Sequence, residues 1–176
     1  MKQTAKITVC AVSAALAAAL MLVSYFPYLT YAIPAVAGLF MMIPLITADC
    51  KWAFCAYIVS AVIVLFTAEP EAKFLYVFLL GYYPIVKALI ERIKKPFVEW
   101  LIKILIYNAA IVIFYKTAAF VIGADFTDFG DLGKYGVYIF WAFSNIVFVL
   151  YDIAVSRMAV LYIYRIHPQI KKLFKI

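Results

Sequence analysis

Charged residues make up only 14% of this 176-residue chain, against roughly 25% in an ordinary soluble domain. Histidine occurs once, at His167, and the three cysteines, Cys10, Cys50 and Cys55, form no C-x-x-C pair. A thiol-redox centre or a zinc site needs clustered Cys and His, so neither is expected, and no metal or other cofactor is called for. There is no H-E-x-x-H, no G-x-S-x-G and no P-loop glycine motif. Peptide or ester hydrolysis by those routes and ATP hydrolysis by a P-loop are therefore excluded. No enzyme is expected. The net charge of +7 does not point to nucleic acid, because its Lys and Arg residues fall in short segments between apolar runs rather than on one soluble face.

Hydrophobic residues are what the chain has in excess. They are 69% of 176, or about 121 residues, and a membrane-spanning helix needs about 20. That is material for roughly six spans, with little left for an extramembrane domain. Apolar runs and their Pro, Gly and charged interruptions predict spans over Ile7–Phe26, Tyr31–Ala48, Trp52–Ala68, Ala72–Ile90, Glu99–Ile122 and Gly136–Tyr164. Pro27 ends the first, and Pro34, Pro44, Gly81 and Pro84 lie inside the second and fourth. Lys2 and Lys6 before a small-residue run resemble a signal peptide. The run continues to Tyr25 and Phe26, so it reads as a retained first helix. The expectation is an all-α membrane protein, one six-helix transmembrane domain over residues 1–176, multi-pass in the plasma membrane.

Sidedness follows from the basic residues. With the N-terminus inside, 13 of the 16 Lys and Arg residues fall on the cytoplasmic side, among them Lys51, Arg92, Lys94, Lys95, Arg157 and Lys171. Only Lys73, Lys116 and Lys134 fall outside, with Glu69, Glu71, Asp125, Asp128 and Asp131. Lys and Arg resist translocation, so both termini are expected in the cytoplasm.

Polar groups inside the spans are the candidate site. Tyr138, Trp141, Asn145, Phe148 and Asp152 share one face of the last helix. Asn108 sits near mid-depth of the fifth, with Tyr115 on its face and Lys116 nearer the outer end. The fourth carries Tyr76, Tyr83, Lys87 and Glu91 on one face, with Tyr82 adjoining. An amide in hydrocarbon must face the bundle, so Asn108 and Asn145 either meet a ligand or join helices. An outward-opening pocket among the last three helices and an interfacial aromatic belt both accommodate the tyrosines and tryptophan. Near the inner side, Glu99 with Lys103 and Lys87 with Glu91 have i,i+4 pairing distance. Asp152 and Arg157 are expected to pair with other helices or snorkel. In the first helix Ala11, Ala15 and Ala18 recur at helical spacing. Small residues permit close helix approach, either to a partner subunit or within the bundle.

The size, the six spans, the Ala-rich first helix (Lys6 to Leu16), the Gly81-Tyr82-Tyr83-Pro84 to Glu91-Arg92 stretch and the Glu99-Trp100-Leu101-Ile102-Lys103 opening together resemble the substrate-binding S-components of energy-coupling factor (ECF) vitamin transporters. The resemblance implies a non-catalytic subunit that captures a vitamin-like small molecule outside the cell. Its partners would be a transmembrane coupling subunit and two ATPase subunits. Carried over, Ala11, Ala15 and Ala18 are the docking face, and Tyr76, Tyr83, Asn108, Lys116, Trp141 and Asn145 belong to the pocket, with the loops around Tyr28 and Asp125. The connection between the first two helices is short, whereas that loop often covers the ligand in this family. The alternative expectation is a structural or assembly subunit of a membrane complex.

Overall fold

The computed structural model describes residues 3–26, 28–122 and 136–166. Lys2, Pro27, the stretch holding Asp125, Asp128, Asp131 and Lys134, and residues 167–176 with His167 and Lys171 lie outside them. The described residues are helical and contain no strand. In chain order they form α1 (Gln3–Met21), α2 (Ala32–Leu39), α3 (Met42–Thr47), α4 (Cys50–Thr67), α5 (Pro70–Leu75), α6 (Tyr83–Ile90), α7 (Pro96–Ile122) and α8 (Gly136–Leu161). Short 3-10 turns extend α1 and α6, and π turns follow α5 and α8.

Five helical segments are long and apolar enough to cross a membrane: Gln3–Tyr25, Cys50–Thr67, Pro70–Ile93, Pro96–Ala118 and Tyr138–Arg165. The chain is an all-α protein of membrane character. The expected second span is different, because Ala32–Thr47 is shorter and divided into α2 and α3. At 1.5 Å per residue it reaches about 24 Å, less than the roughly 30 Å hydrocarbon core. Pro44 is the local cause. It has no N–H for the Phe40 carbonyl, and the neighbouring Leu45 N–H to Met41 bond is stretched to 3.4 Å.

Hydrogen bonds register the two ends of the bundle. At one end Lys6 donates to Asp49 at 2.8 Å, and Thr47 meets the Tyr162 hydroxyl at 2.9 Å. The Lys6 bond and its charge hold the exposed Asp49 carboxyl below its ordinary range. At the other end Tyr31 donates to Glu71 at 2.8 Å. Among the described residues, Lys6, Thr47, Asp49 and Tyr162 thus lie at one end, and Tyr31 and Glu71 at the other. A basic end holds Lys6, Lys51, Arg92, Lys94 and Lys95, and the opposite end, acidic by sequence, holds Glu69 and Glu71 with Lys73 and Lys116.

The break between α5 and α6 has a traceable origin. The Gly81 N–H bonds the Tyr76 carbonyl at 2.8 Å, a wide turn that passes over Val77. The Val77 carbonyl instead accepts the Tyr57 hydroxyl of α4 at 2.6 Å. Pro84 likewise leaves the Leu80 carbonyl without a helical donor, and Tyr151 of α8 supplies one at 3.0 Å. Two tyrosines from other helices thus satisfy the backbone that the π turn and proline release, as an apolar interior requires. Space at this point is tight. A Cβ on Gly38 would lie 2.5 Å from the Leu80 oxygen and 2.6 Å from the Tyr151 hydroxyl.

Two packed clusters fill the bundle. One joins α1, α2 and α4 to the α5 segment through Ala17, Met21, Ala37, Ala53, Val64 and Tyr76. The other joins α5 to α8 through Phe74, Tyr83, Tyr107, Phe114, Phe148 and Tyr151. Alanine dominates the first because α1 lies directly along α4, and dispersion at close approach is what packs helices in hydrocarbon.

Candidate functional site

Helices α5 to α8 organise three polar constellations, the third on the wall of a cavity. The first lies near the basic end. Lys87 of α6, Lys103 of α7 and Asp152 of α8 have side chains only 4%, 5% and 6% exposed, so their charges must be matched. Lys87 Nζ lies 2.5 Å from Asp152 Oδ1 and also donates to the Asp152 carbonyl and Ser156 Oγ, each at 2.7 Å. Its three N–H bonds are thereby satisfied. Lys103 Nζ reaches Asp152 Oδ1 at 3.2 Å and Glu91 at 3.0 Å, while Tyr83 donates to Asp152 Oδ1. Glu91 lies 3.4 Å from Lys87, at the i,i+4 spacing expected. Lys103 pairs with Glu91 and Asp152 rather than with Glu99, because it turns inward where a buried ammonium needs carboxylates. Two ammonium groups face two carboxylates, and the arrangement is a closed electrostatic clamp across three helices.

The second constellation joins α7 to α8. Asn108 and Asn145 exchange amide hydrogen bonds at 3.1 and 3.3 Å, and the Trp141 indole N–H also donates to Asn108 Oδ1. Asn108 donates further to the Ile104 carbonyl at 2.8 Å and Asn145 to the Trp141 carbonyl at 3.0 Å. Both NH2 groups are fully used within the protein.

The third constellation lies at the acidic end. There a cavity of about 260 Å³ opens between the α5 segment, α7 and α8. Leu75, Leu79, Ile111, Phe114, Phe143 and Val147 supply most of its wall. Tyr107 and Ser144 form a polar point on it, their hydroxyls 2.8 Å apart. Glu71 and Tyr31 form the other, joined by their hydrogen bond. In that bond the Tyr31 hydroxyl is the donor. Concave apolar walls with a few placed polar groups are the usual form of a small-molecule site.

None of the six pocket residues expected from the sequence lines this cavity. Tyr76 is fully buried and pairs its hydroxyl with Ser60 at 2.7 Å. Tyr83 belongs to the ionic clamp, and Asn108, Trp141 and Asn145 to the amide junction. Lys116 is exposed near the end of α7. Of the first-helix alanines, Ala11 and Ala15 lie on the exposed face, and Ala18 turns into the bundle with Ala14 and Ala17. Tyr28 is 97% exposed at a positive φ of 72°, and Asp125 lies outside the described residues. The cavity residues that sequence reasoning missed are Glu71, Tyr31, Tyr107 and Ser144. The available signal was the Glu69-Pro70-Glu71 turn, a carboxylate beside the start of a span. No protein family, curated protein or solved structure matches this chain.

Proposed function

We propose that this chain is a six-span plasma-membrane protein with both termini in the cytoplasm, and that it captures a small molecule from outside as the substrate-binding subunit of an ECF-type uptake system. The observation that carries this reading is the cavity of about 260 Å³ at the acidic end. With the basic end on the cytoplasmic side, the cavity opens outward, where a capture subunit needs it. Energy would come from a transmembrane coupling subunit and two ATPase subunits, since the sequence has no nucleotide-binding loop of its own. Ala11 and Ala15, small and on the exposed face of α1, supply a surface for close helix docking. The ligand is vitamin-like in size, and no catalysis is assigned to the subunit.

A second reading, a structural or assembly subunit, is favoured by the reciprocal Asn108–Asn145 pair, which leaves both amide NH2 groups without capacity for a ligand. Mass spectrometry of the protein released gently from native membranes separates the two. Transport requires a retained small molecule and co-purifying ATPases, and Ala15→Leu should release those partners while ligand binding persists. Partners without any ligand, in native and variant protein alike, would leave only the structural role.

A further inference from the structure

The two polar points on the cavity wall differ in what they leave open. Tyr107 and Ser144 satisfy each other, the tyrosine hydroxyl lying 2.8 Å from Ser144 Oγ and 3.2 Å from the Ser144 carbonyl. Among the described residues Glu71 accepts one hydrogen bond, from Tyr31 to Oε2, whereas a carboxylate offers about four acceptor sites. Among the described residues no Lys or Arg pairs with Glu71. The nearest basic residue in sequence, Lys73, has its ammonium over the Phe74 ring, 5.7 Å from the centroid. Glu69, two residues before Glu71, holds its Oε2 buried with no hydrogen-bond partner among the described residues. The cavity thus combines an aliphatic and aromatic wall with a carboxylate at its edge that has acceptor capacity to spare. Its volume is a little below the roughly 300–1,000 Å³ of drug-sized pockets, so the occupant is small.

We propose that the cavity takes a small apolar organic cation, an amine on an aromatic or aliphatic body, with the ammonium on Glu71 and the body among Leu79, Ile111, Phe114 and Phe143. This rests on the reading that the cavity binds a ligand. An ammonium N–H donates to Glu71 Oε1, while Tyr31 holds Oε2 and fixes the carboxylate. A carboxylate-bearing molecule meets repulsion from Glu71 at the same point. A neutral isostere keeps the apolar contacts and gains no charge-assisted bond.

The test uses the full chain in lipid nanodiscs and three indoles of similar size: tryptamine (cation), tryptophol (neutral) and indole-3-propionate (anion), titrated by calorimetry. Tryptamine should bind about threefold tighter than tryptophol, the ratio expected of an ion pair at an exposed carboxylate, and indole-3-propionate weakest. Glu71→Gln should lower tryptamine affinity to the tryptophol level and leave tryptophol unchanged. Tyr31→Phe, which keeps the charge, should preserve the preference. Ala118→Phe and Val147→Phe fill the cavity from α7 and α8 respectively, and whichever of them folds should abolish binding of both. Equal binding of tryptamine and tryptophol, both lost on filling the cavity, overturns the cation proposal and leaves the cavity reading standing. Binding that ignores the filling variants, or no binding of any probe, overturns the cavity reading and the proposal with it.

Discussion

Replacing Asp152 by asparagine keeps the side chain's shape and one oxygen acceptor but removes its charge. In the native clamp two ammonium groups face Asp152 and Glu91, so the local charge balances. Asp152→Asn leaves two ammonium groups, 4% and 5% exposed, sharing Glu91 alone, itself 44% exposed. Removing one partner of a buried ion pair costs about 3–5 kcal/mol. Glu91 still lies 3.4 Å from Lys87 and 3.0 Å from Lys103, so the lower end, about 3 kcal/mol, is expected. The assay is equilibrium unfolding in mixed micelles titrated with a denaturing detergent and followed by tryptophan fluorescence. Adding Lys87→Met to Asp152→Asn removes the uncompensated charge, so the double variant should be more stable than Asp152→Asn alone. The coupling between the two sites should exceed about 1 kcal/mol. An Asp152→Asn protein within about 0.5 kcal/mol of the parent, or a double variant equal to the sum of the singles, would refute the clamp.

Two further expectations test the packing around it. Gly38→Ala places a Cβ 2.5 Å from the Leu80 oxygen, and overpacking of this kind should lower stability by about 1–3 kcal/mol; an unchanged midpoint in thermal unfolding would show that α2 can move away freely. Asn108→Leu and Asn145→Leu should each cost about 0.6–2 kcal/mol in the same micelle titration, with a double variant far less destabilised than their sum. Neither side chain lines the cavity, so tryptamine affinity should not change, and a drop in it would assign the amides to the ligand after all.

Helix class and charge segregation were legible without coordinates, since each is written in a local run. The interruption at Pro44 and the break around Gly81 and Pro84 were also visible as residues, but their effects were not. Tyr76 and Tyr83, seven residues apart, share a face on a regular helix. The π turn at Tyr76–Leu80 inserts an extra residue between them. Tyr76 consequently meets Ser60 of α4 while Tyr83 meets Asp152 of α8. Lys103 shows the same limit. Periodicity named its neighbour on its own helix, Glu99, yet its partners come from the end of α6 and from α8.

By itself, then, the amino-acid order determined that this chain forms apolar helices with one basic end, because hydrophobicity and charge act residue by residue. Whether a polar side chain meets a ligand or another helix depends on how helices rotate and approach, through contacts between residues far apart in the chain. Tertiary structure alone directed Asn108 to Asn145, Lys87 to Asp152, and Tyr31 and Glu71 to the edge of an otherwise apolar cavity. Each partner lies 37 to 65 residues away, beyond the reach of any helical period.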